Sequence, residues 1–397
     1  MSGAAVTRRA SVELEVSILS SPEEWGAVGF REEWGRLLER AGDRLALFQS
    51  PEWLSHLLVM HPGSRPSVAC IRDKGGVLVG AVPFFRHRLE LPYEVRRVRL
   101  WTSHLLVLEI PGGAPPVLDD ATVYDRIFEA LRELARDGDG LHMHMVPTSS
   151  LCWRHVNGSP IVACAFRLCV PDGADLHRSI TLPSRFEEYL AQFGARTRSK
   201  FRRNLRLLRE QGGGDLRLRR FESPDDVAAF VEAAAPVAKA SWQRSCTDDL
   251  VDDTIYWRTK LADLSSRGLL RSYVLTAGGR GCAYVLGYQG RGTYHYVQTG
   301  FDPSFARLSP GTVLIYLLAE DLILHRPPGR LCFGFGDSYY KREFSNDHSE
   351  EVSFLLLNRG LSGAIRAGTY TAFKSLLRAA KTLTRAPRHS PAGAESR

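Results

Sequence analysis

The sequence predicts an α/β (α+β) protein of two units, each a mixed, mostly antiparallel twisted sheet flanked by helices. Three observations carry this. At 397 residues the chain exceeds what one ordinary hydrophobic core supports. Stretches with the two-residue period of strands are interleaved with stretches of 3.6-residue period in both halves. Pro and Gly cluster over Leu168–Pro183, between the two sets.

Taken in order, residues 1–11 read as disordered and Val12–Ile18 as a strand. Glu23–Arg40 is a helix with Trp25, Phe30, Trp34, Leu37 and Leu38 as apolar contacts. Ser50 followed by Pro51 starts the next helix, because Ser caps and Pro wastes no N–H at the first helical position. Ser67–Asp73, Val77–Arg86 and Arg96–Thr102 are strands, Tyr124–Arg136 a helix, and Gly140–Val146 a strand that sets His142 and His144 on one face.

The second unit begins with a short helix, Phe186–Phe193, and a longer one, Thr197–Gln211, stopped by three glycines. A strand follows at Leu216–Phe221, then helices at Pro224–Ala234 and Tyr256–Arg267. Leu269–Ala277, Arg280–Gln289 and Thr293–Phe301 read as successive antiparallel strands, Thr312–His325 as a helix, and Arg330–Phe335 and Val352–Leu357 as strands. Ile365–Leu383 is an amphipathic basic stretch before a disordered Pro/Ser/Arg segment.

Composition narrows the class. No apolar run approaches the roughly 20 residues a bilayer needs, and the first residues carry no apolar signal core, so a cytoplasmic protein without membrane insertion is expected. Seven Cys without close pairs fit free thiols in a reducing compartment. A net charge of +8 makes an anionic partner plausible, without choosing among CoA, acyl carrier protein and nucleic acid.

Three constellations could carry chemistry. Ser309-Pro310-Gly311-Thr312 opens a helix whose first-turn N–H groups and dipole suit a phosphate, with Gly311 permitting close approach and Arg307 just before it. The same four residues would also specify an ordinary capped helix. Asp337-x-x-Tyr340-Lys341, with Tyr339, follows Leu331-Cys332-Phe333-Gly334-Phe335-Gly336, where glycines leave one strand face open. There a carboxylate can take a proton from an amine and a tyrosine can protonate a thiolate. A packed loop is the plainer reading. The helix Arg196–Arg209 has no acidic residue and lines Arg198, Arg202, Arg206 and Arg209 along one face. It is either a solvated positive face or an anion-binding one.

Weaker signals complete the reading. His142-x-His144 has no acidic or Cys partner nearby in sequence, so structural packing is expected and no metal. Cys282 and Cys332 read as buried hydrophobes. Trp242 could line an acceptor pocket or the core. No dinucleotide fingerprint, P-loop, nucleophile elbow or zinc-protease motif is present in the sequence.

With these residues placed, the chain resembles the CelD/BioF2-like branch of the GNAT acyltransferase superfamily, relatives of the Fem-type aminoacyl transferases. The resemblance spans about residues 45–345. It rests on Phe48…Pro51-x-Trp53, the Arg-rich helix, Trp242 upstream of Tyr256–Arg267, and Gly300-Phe301-Asp302-Pro303. Its most specific blocks are Ser309-Pro310-Gly311 and Phe335-Gly336-Asp337-x-x-Tyr340-Lys341. It implies tandem GNAT-like domains over residues 12–170 and 171–360, the second being the acyltransferase, and a basic tail over 361–397.

In that frame the acyl donor lies between split central strands, Tyr294–Gly300 and Leu331–Phe335. Gln298, Arg307, Ser309, Gly311 and Thr312 would hold it, and a backbone N–H near Gln298–Gly300 would stabilise the oxyanion. Asp337 would assist deprotonation of an acceptor amine, and Tyr340 or Tyr339 would protonate the leaving thiolate. Trp242, Lys341, Arg202 and Arg206 would serve the substrate side. The superfamily loop, Gln/Arg-x-x-Gly-x-Gly/Ala, has a second glycine that this chain lacks. That leaves acyl-CoA, acyl carrier protein and aminoacyl-tRNA open as donors. Relatives of this branch occur around exopolysaccharide and envelope biosynthesis, which implies a sugar amine as acceptor. The alternatives are a Fem-type transferase using tRNA and a non-catalytic relative that binds anions or nucleic acid.

Overall fold

The computed structural model describes residues 14–95, 98–118, 120–245 and 249–384. The N-terminal half contains strands β1 (Glu15–Leu19), β2 (Ser67–Arg72), β3 (Leu78–Val95), β4 (Val98–Ile110) and β5 (Gly140–Pro147). Its helices are α1 (Pro22–Trp25), α2 (Val28–Ala41), α3 (Pro51–Met60) and α4 (Ala121–Leu134). Helices α5 (Leu151–Gly158) and α6 (Pro160–Ala165) lead to strands β6 (Phe166–Cys169) and β7 (Ala174–Thr181). The C-terminal half runs α7 (Phe186–Ala191), α8 (Ala195–Gln211), β8 (Leu216–Phe221), α9 (Asp226–Ala240), α10 (Ile255–Ser266), β9 (Ser272–Ala277), β10 (Arg280–Gly290) and β11 (Thr293–Phe301). It closes with α11 (Pro310–Leu324), β12 (Arg330–Phe335), α12 (Tyr339–Phe344), β13 (Asp347–Asn358) and α13 (Leu361–Thr384).

All strands join one sheet in the order β1-β2-β3-β4-β5-β13-β7-β12-β11-β10-β9-β8, with β6 on β13. Pairing is antiparallel except at β4–β5 and β11–β12 among the described residues. Each parallel pair needs a crossover, and α4 and α11 supply them. The two halves therefore repeat one plan: four antiparallel strands, a crossover helix, then a parallel strand. The strands completing each plan are exchanged. β13 follows β12 in the chain but pairs with β5, while β7 follows β5 but pairs with β12. Since β7 and β13 also pair with each other, the halves share one sheet.

Helices cover both faces of the C-terminal half, and strand alternation shows how. Tyr273, Leu275, Ala283 and Val285 pack with Phe201 and Leu208 of α8 and with Leu314 and Leu318 of α11. Their neighbours Val274, Tyr284 and Leu286 pack on the other face against Phe230 and Val231 of α9 and Leu261 of α10. At the seam, fully buried Glu351 of β13 accepts from Arg44 and lies 2.7 Å from His177 Nδ1 of β7, so its charge is paired. No helix among the described residues is long and apolar enough to cross a membrane.

Three differences from the sequence reading have physical causes. The expected strand Arg96–Thr102 continues to Ile110, because β3 and β4 form one long hairpin from Val95/Val98 to Phe85/Glu109. The stretch Leu168–Pro183, read as a boundary, contains β7, whose polar sequence becomes a strand through its pairing with β12 and β13. The last strand starts at Asp347 rather than Val352, since its polar first half pairs with β7. The disorder expected for 1–11 and for the segment after 384 lies outside the described residues, as do Val12, Glu13, Arg96 and Arg97 of the expected strands.

Candidate active site

The site begins where the sheet opens. β11 and β12 pair only from Thr293/Arg330 to His295/Cys332. Beyond that point β11 stays with β10 through Phe301, while β12 follows β7, reaching Phe335 opposite His177 across a bulge. Gly334 (φ 69°) and Gly336 (φ 97°) take the left-handed backbone this turn away requires, which side chains with a Cβ resist. The edge of β11 from Tyr296 onward thus loses its partner on that side.

A cavity of about 270 Å³ lies there. Tyr296, Thr299 and Phe301 of β11 line it, with Ser309, Pro310, Gly311 and Thr312 at the start of α11, Tyr340 of α12, and Trp242 with Gln243. The expected cradle and the expected tyrosine meet in one place.

The start of α11 differs in detail from the capped helix expected. Ser309 sits at φ 52°, ψ 53°, a strained setting for a residue with a Cβ, and its hydroxyl makes no cap. Its carbonyl accepts from the N–H groups of Thr312 (3.0 Å) and Val313 (3.2 Å). Pro310 has no N–H, so Gly311 is left with the N–H that no described group accepts. A Cβ added at Gly311 would meet only Phe301 Cδ1, at 4.0 Å, so this glycine borders open space. The far end of α11 is fixed by Arg271, which is fully buried and donates to the carbonyl oxygens of Asp321, His325 and Arg326.

Tyr340 reaches the cavity because α12 is anchored on both sides. Phe344 stacks on Phe201 of α8, with ring centroids 5.1 Å apart, and Tyr340 stands edge-on to Phe333 at 5.8 Å. Burial raises the Tyr340 pKa above the ordinary tyrosine value, keeping the phenol protonated. Trp242 is 58% exposed and forms the rim.

Other expected site residues are placed elsewhere. Asp337 lies outside the cavity, clamped between Arg178 Nε (2.5 Å) and Arg342 (3.0 Å); the Arg178 hydrogen bond holds its carboxyl below the usual value. Tyr339 is 65% exposed, with Lys200 over its ring and its hydroxyl 3.4 Å from Glu343. Lys341 turns inward and donates to the carbonyl oxygens of Gly334 and Phe335, closing the glycine bulge; burial pulls its pKa down to about 8. Gln298 accepts from Val251 N–H (3.1 Å) and donates to Asp249 (2.6 Å), bracing a neighbouring loop. Arg307 is exposed and does not line the cavity, although its neighbour Ala306 does. Arg202 and Arg206 line a separate open groove of about 450 Å³ on α8, with Arg209.

A second cavity, of about 580 Å³, lies at the junction of the halves and involves the His pair. The structure supplies the acidic partner that sequence neighbours lacked. Glu109 of β4 stands in register with His142 of β5. Its carboxylate lies 2.8 Å from His142 Nδ1 and 2.6 Å from His144 Nε2. Burial opposes its ionisation, but the two imidazole hydrogen bonds outweigh that and hold its pKa at about 2. The contact joins residues 33 apart across a parallel pair, which spacing alone does not reveal.

The comparisons with known proteins bear on the first cavity. Residues 195–342 match the family model described as "Acetyltransferase (GNAT) domain", and every residue lining that cavity falls inside the matched segment. Among solved structures the chain is similar to FemX, with a TM-score of 0.59, 12% identity, and coverage of 82% of this chain and 95% of that one. It is also similar to a conserved protein of unknown function from Bacteroides thetaiotaomicron VPI-5482, with a TM-score of 0.51, 13% identity, and coverage of 83% and 97%. At these identities the likeness is one of fold. No curated protein matches the chain.

Proposed function

We propose that this chain transfers an acyl group from a thioester carrier, acyl-CoA, to an amine by direct attack, with the donor in the wedge between β11 and β12. One observation carries the reading: a single cavity brings together the unbonded N–H of Gly311, the phenol of Tyr340 and a strand edge left open by the split. The pyrophosphate of the carrier would lie against the start of α11. The motif pattern favours the CelD/BioF2-like branch and an amino sugar as acceptor.

The acceptor nitrogen attacks the thioester carbon, and the oxyanion accepts from the open edge of β11 near Gln298–Gly300. As the C–S bond breaks, sulfur takes the proton of Tyr340, and the phenolate regains a proton from water. Among the described residues the cavity lining holds no carboxylate or imidazole. In this reading the amine enters in its neutral form and sheds its second proton to water. Asp337, held by two guanidinium groups outside the cavity, serves instead to fix the turn from β12 into α12.

Thiol release from a panel of acyl-CoAs, offered amino sugars and amino acids, tests this. Turnover with one pair, lost in Tyr340→Phe, is expected. Absence of both turnover and saturable acyl-CoA binding would sink the reading. One observation favours a second donor, aminoacyl-tRNA: the face of Arg202, Arg206 and Arg209 is open, as an RNA backbone would need. Under that reading, steeply salt-dependent tRNA binding is weakened by Arg202→Glu, while acyl-CoA gives no thiol.

A further inference from the structure

The Glu109, His142 and His144 cluster takes no part in acyl transfer as proposed, and it stands on the other parallel strand pair. Each residue offers one donor atom, and all three atoms lie within 4.8 Å of one another. The imidazole centroids are 3.9 Å apart at 60°, so both rings converge on one carboxylate from different directions. Donor atoms around a tetrahedral ion with bonds of about 2.0–2.2 Å stand roughly 3.4 Å apart. The observed 2.6 and 2.8 Å contacts, which fall on the two different oxygens of Glu109, need to open by about 0.6–0.8 Å to admit one.

The donors sit on adjacent strands rather than on loops, which pre-sets their positions. Two imidazoles and a carboxylate suit first-row transition ions better than Mg²⁺ or Ca²⁺, which prefer all-oxygen shells. The carboxylate offsets part of a dipositive charge while the imidazoles bind neutral. Both histidines also line the 580 Å³ cavity, whose wall carries Glu90, Asp172 and Asp175. That wall favours entry of a cation into a basic protein, although Asp172 is engaged by Lys374 at 2.8 Å and Glu90 lies 3.8 Å from Arg99.

We propose that Glu109, His142 Nδ1 and His144 Nε2 form a three-ligand site for a first-row divalent transition ion, with its remaining coordination positions open to the cavity. Each imidazole then carries its proton on the nitrogen turned away from the ion. A site closed on four protein ligands would be structural; one with three ligands and an open cavity can hold a water or a substrate oxygen.

The test uses tag-free full-length protein stripped with a chelator, titrated with Co²⁺ by visible absorption and with Zn²⁺ by calorimetry. One equivalent per chain is expected, with a d–d spectrum of low coordination number. His144 is only half-buried, so His144→Ala should fold, and its affinity should fall at least about 100-fold. Zn²⁺ should raise the melting temperature of the wild type and not that of His144→Ala. Absence of saturable binding, or binding unchanged in His144→Ala, would mean a hydrogen-bonded clasp only and would overturn the proposal. Glu109→Gln gives a further check where it folds, through a changed Co²⁺ spectrum.

Discussion

Helices α4 and α11 occupy the same place in the two repeats, each crossing from the fourth strand to a parallel fifth, yet their N-termini differ in capping. At α4 the Asp120 carboxylate accepts from the N–H and hydroxyl of Thr122, both at 2.8 Å, so the end is filled and negative. At α11 Ser309 makes no side-chain cap, and Gly311, whose N–H no described group accepts, lines a cavity. The wedges differ as well. Past Ile110, the strand end is sewn to β5 by Gly113 N–H on His144 O (2.8 Å), and Gln49 donates to the carbonyl oxygens of Pro111 and Gly112. Met145 and Phe48 pack against Gly112. Topology supplies two wedges; capping and filling leave one open.

The sharpest way to break this contrast is Tyr340→Phe. A general acid contributes about 10²–10⁴-fold, so kcat should fall at least 100-fold with the donor KM little changed. The wild-type rate should rise with pH as the amine loses its proton. Because burial raises the Tyr340 pKa, no decline is expected below the ordinary tyrosine range. Steady-state kinetics across pH checks both. An early alkaline decline would point to another acid.

Next in size is Gly311→Val. Only Phe301 lies within 4.0 Å of the new Cβ, so the branched side chain intrudes on the cavity rather than on the protein. The donor KM should rise on the order of 100-fold, the cost typical of misplacing a bound group by an ångström. A melting curve should show the fold intact. An unchanged KM would mean that the donor does not approach this backbone.

Much of the C-terminal half was legible in sequence because its signals are local. The Ser309–Thr312 helix start, the glycines at 334 and 336 and the tyrosine at 340 announce themselves within a few residues, and all help to shape one cavity. What spacing could not show is long-range. Asp337 reads as a base from its neighbours in sequence, which do not show that Arg178, 159 residues earlier, lies beside it. Lys341 is expected on the substrate side, but its ammonium donates to the carbonyl oxygens of the bulge behind it. The exchange of β7 and β13 is equally hidden, since polar strands such as Ala174–Thr181 take their form from neighbours rather than from pattern. His142 and His144 lacked a partner in sequence for the same reason.

A smaller effect is expected from opening the other helix. Asp120→Ala removes the cap of α4 and should cost about 1 kcal/mol of stability, read as a lowered denaturant midpoint. Activity should be unchanged. Acyl-CoA affinity should not increase either, because the wedge beside α4 remains filled by Met145 and Phe48. If a second donor equivalent bound to this variant, capping alone would be what silences the N-terminal half.

The smallest effect is expected where the sequence placed the base. If Asp337 deprotonated the amine, Asp337→Asn would cost about 10²–10⁴-fold in rate. As one carboxylate in an exposed clamp with Arg178 and Arg342, it should cost no more than about threefold. Acid sensitivity separates the two roles. The Arg178 hydrogen bond lowers the folded-state pKa below 3.8, so the clamp is intact above that value and is lost as pH falls through the depressed one. The wild type should therefore lose the ordering of the β12–α12 turn only below the ordinary carboxylate range, and the Asn variant should lack that acid-side step. A near-neutral pKa in the rate profile that vanished in Asp337→Asn would restore the carboxylate as base, and the comparison of the two wedges would then have to include a proton acceptor reached by rearrangement of the clamp.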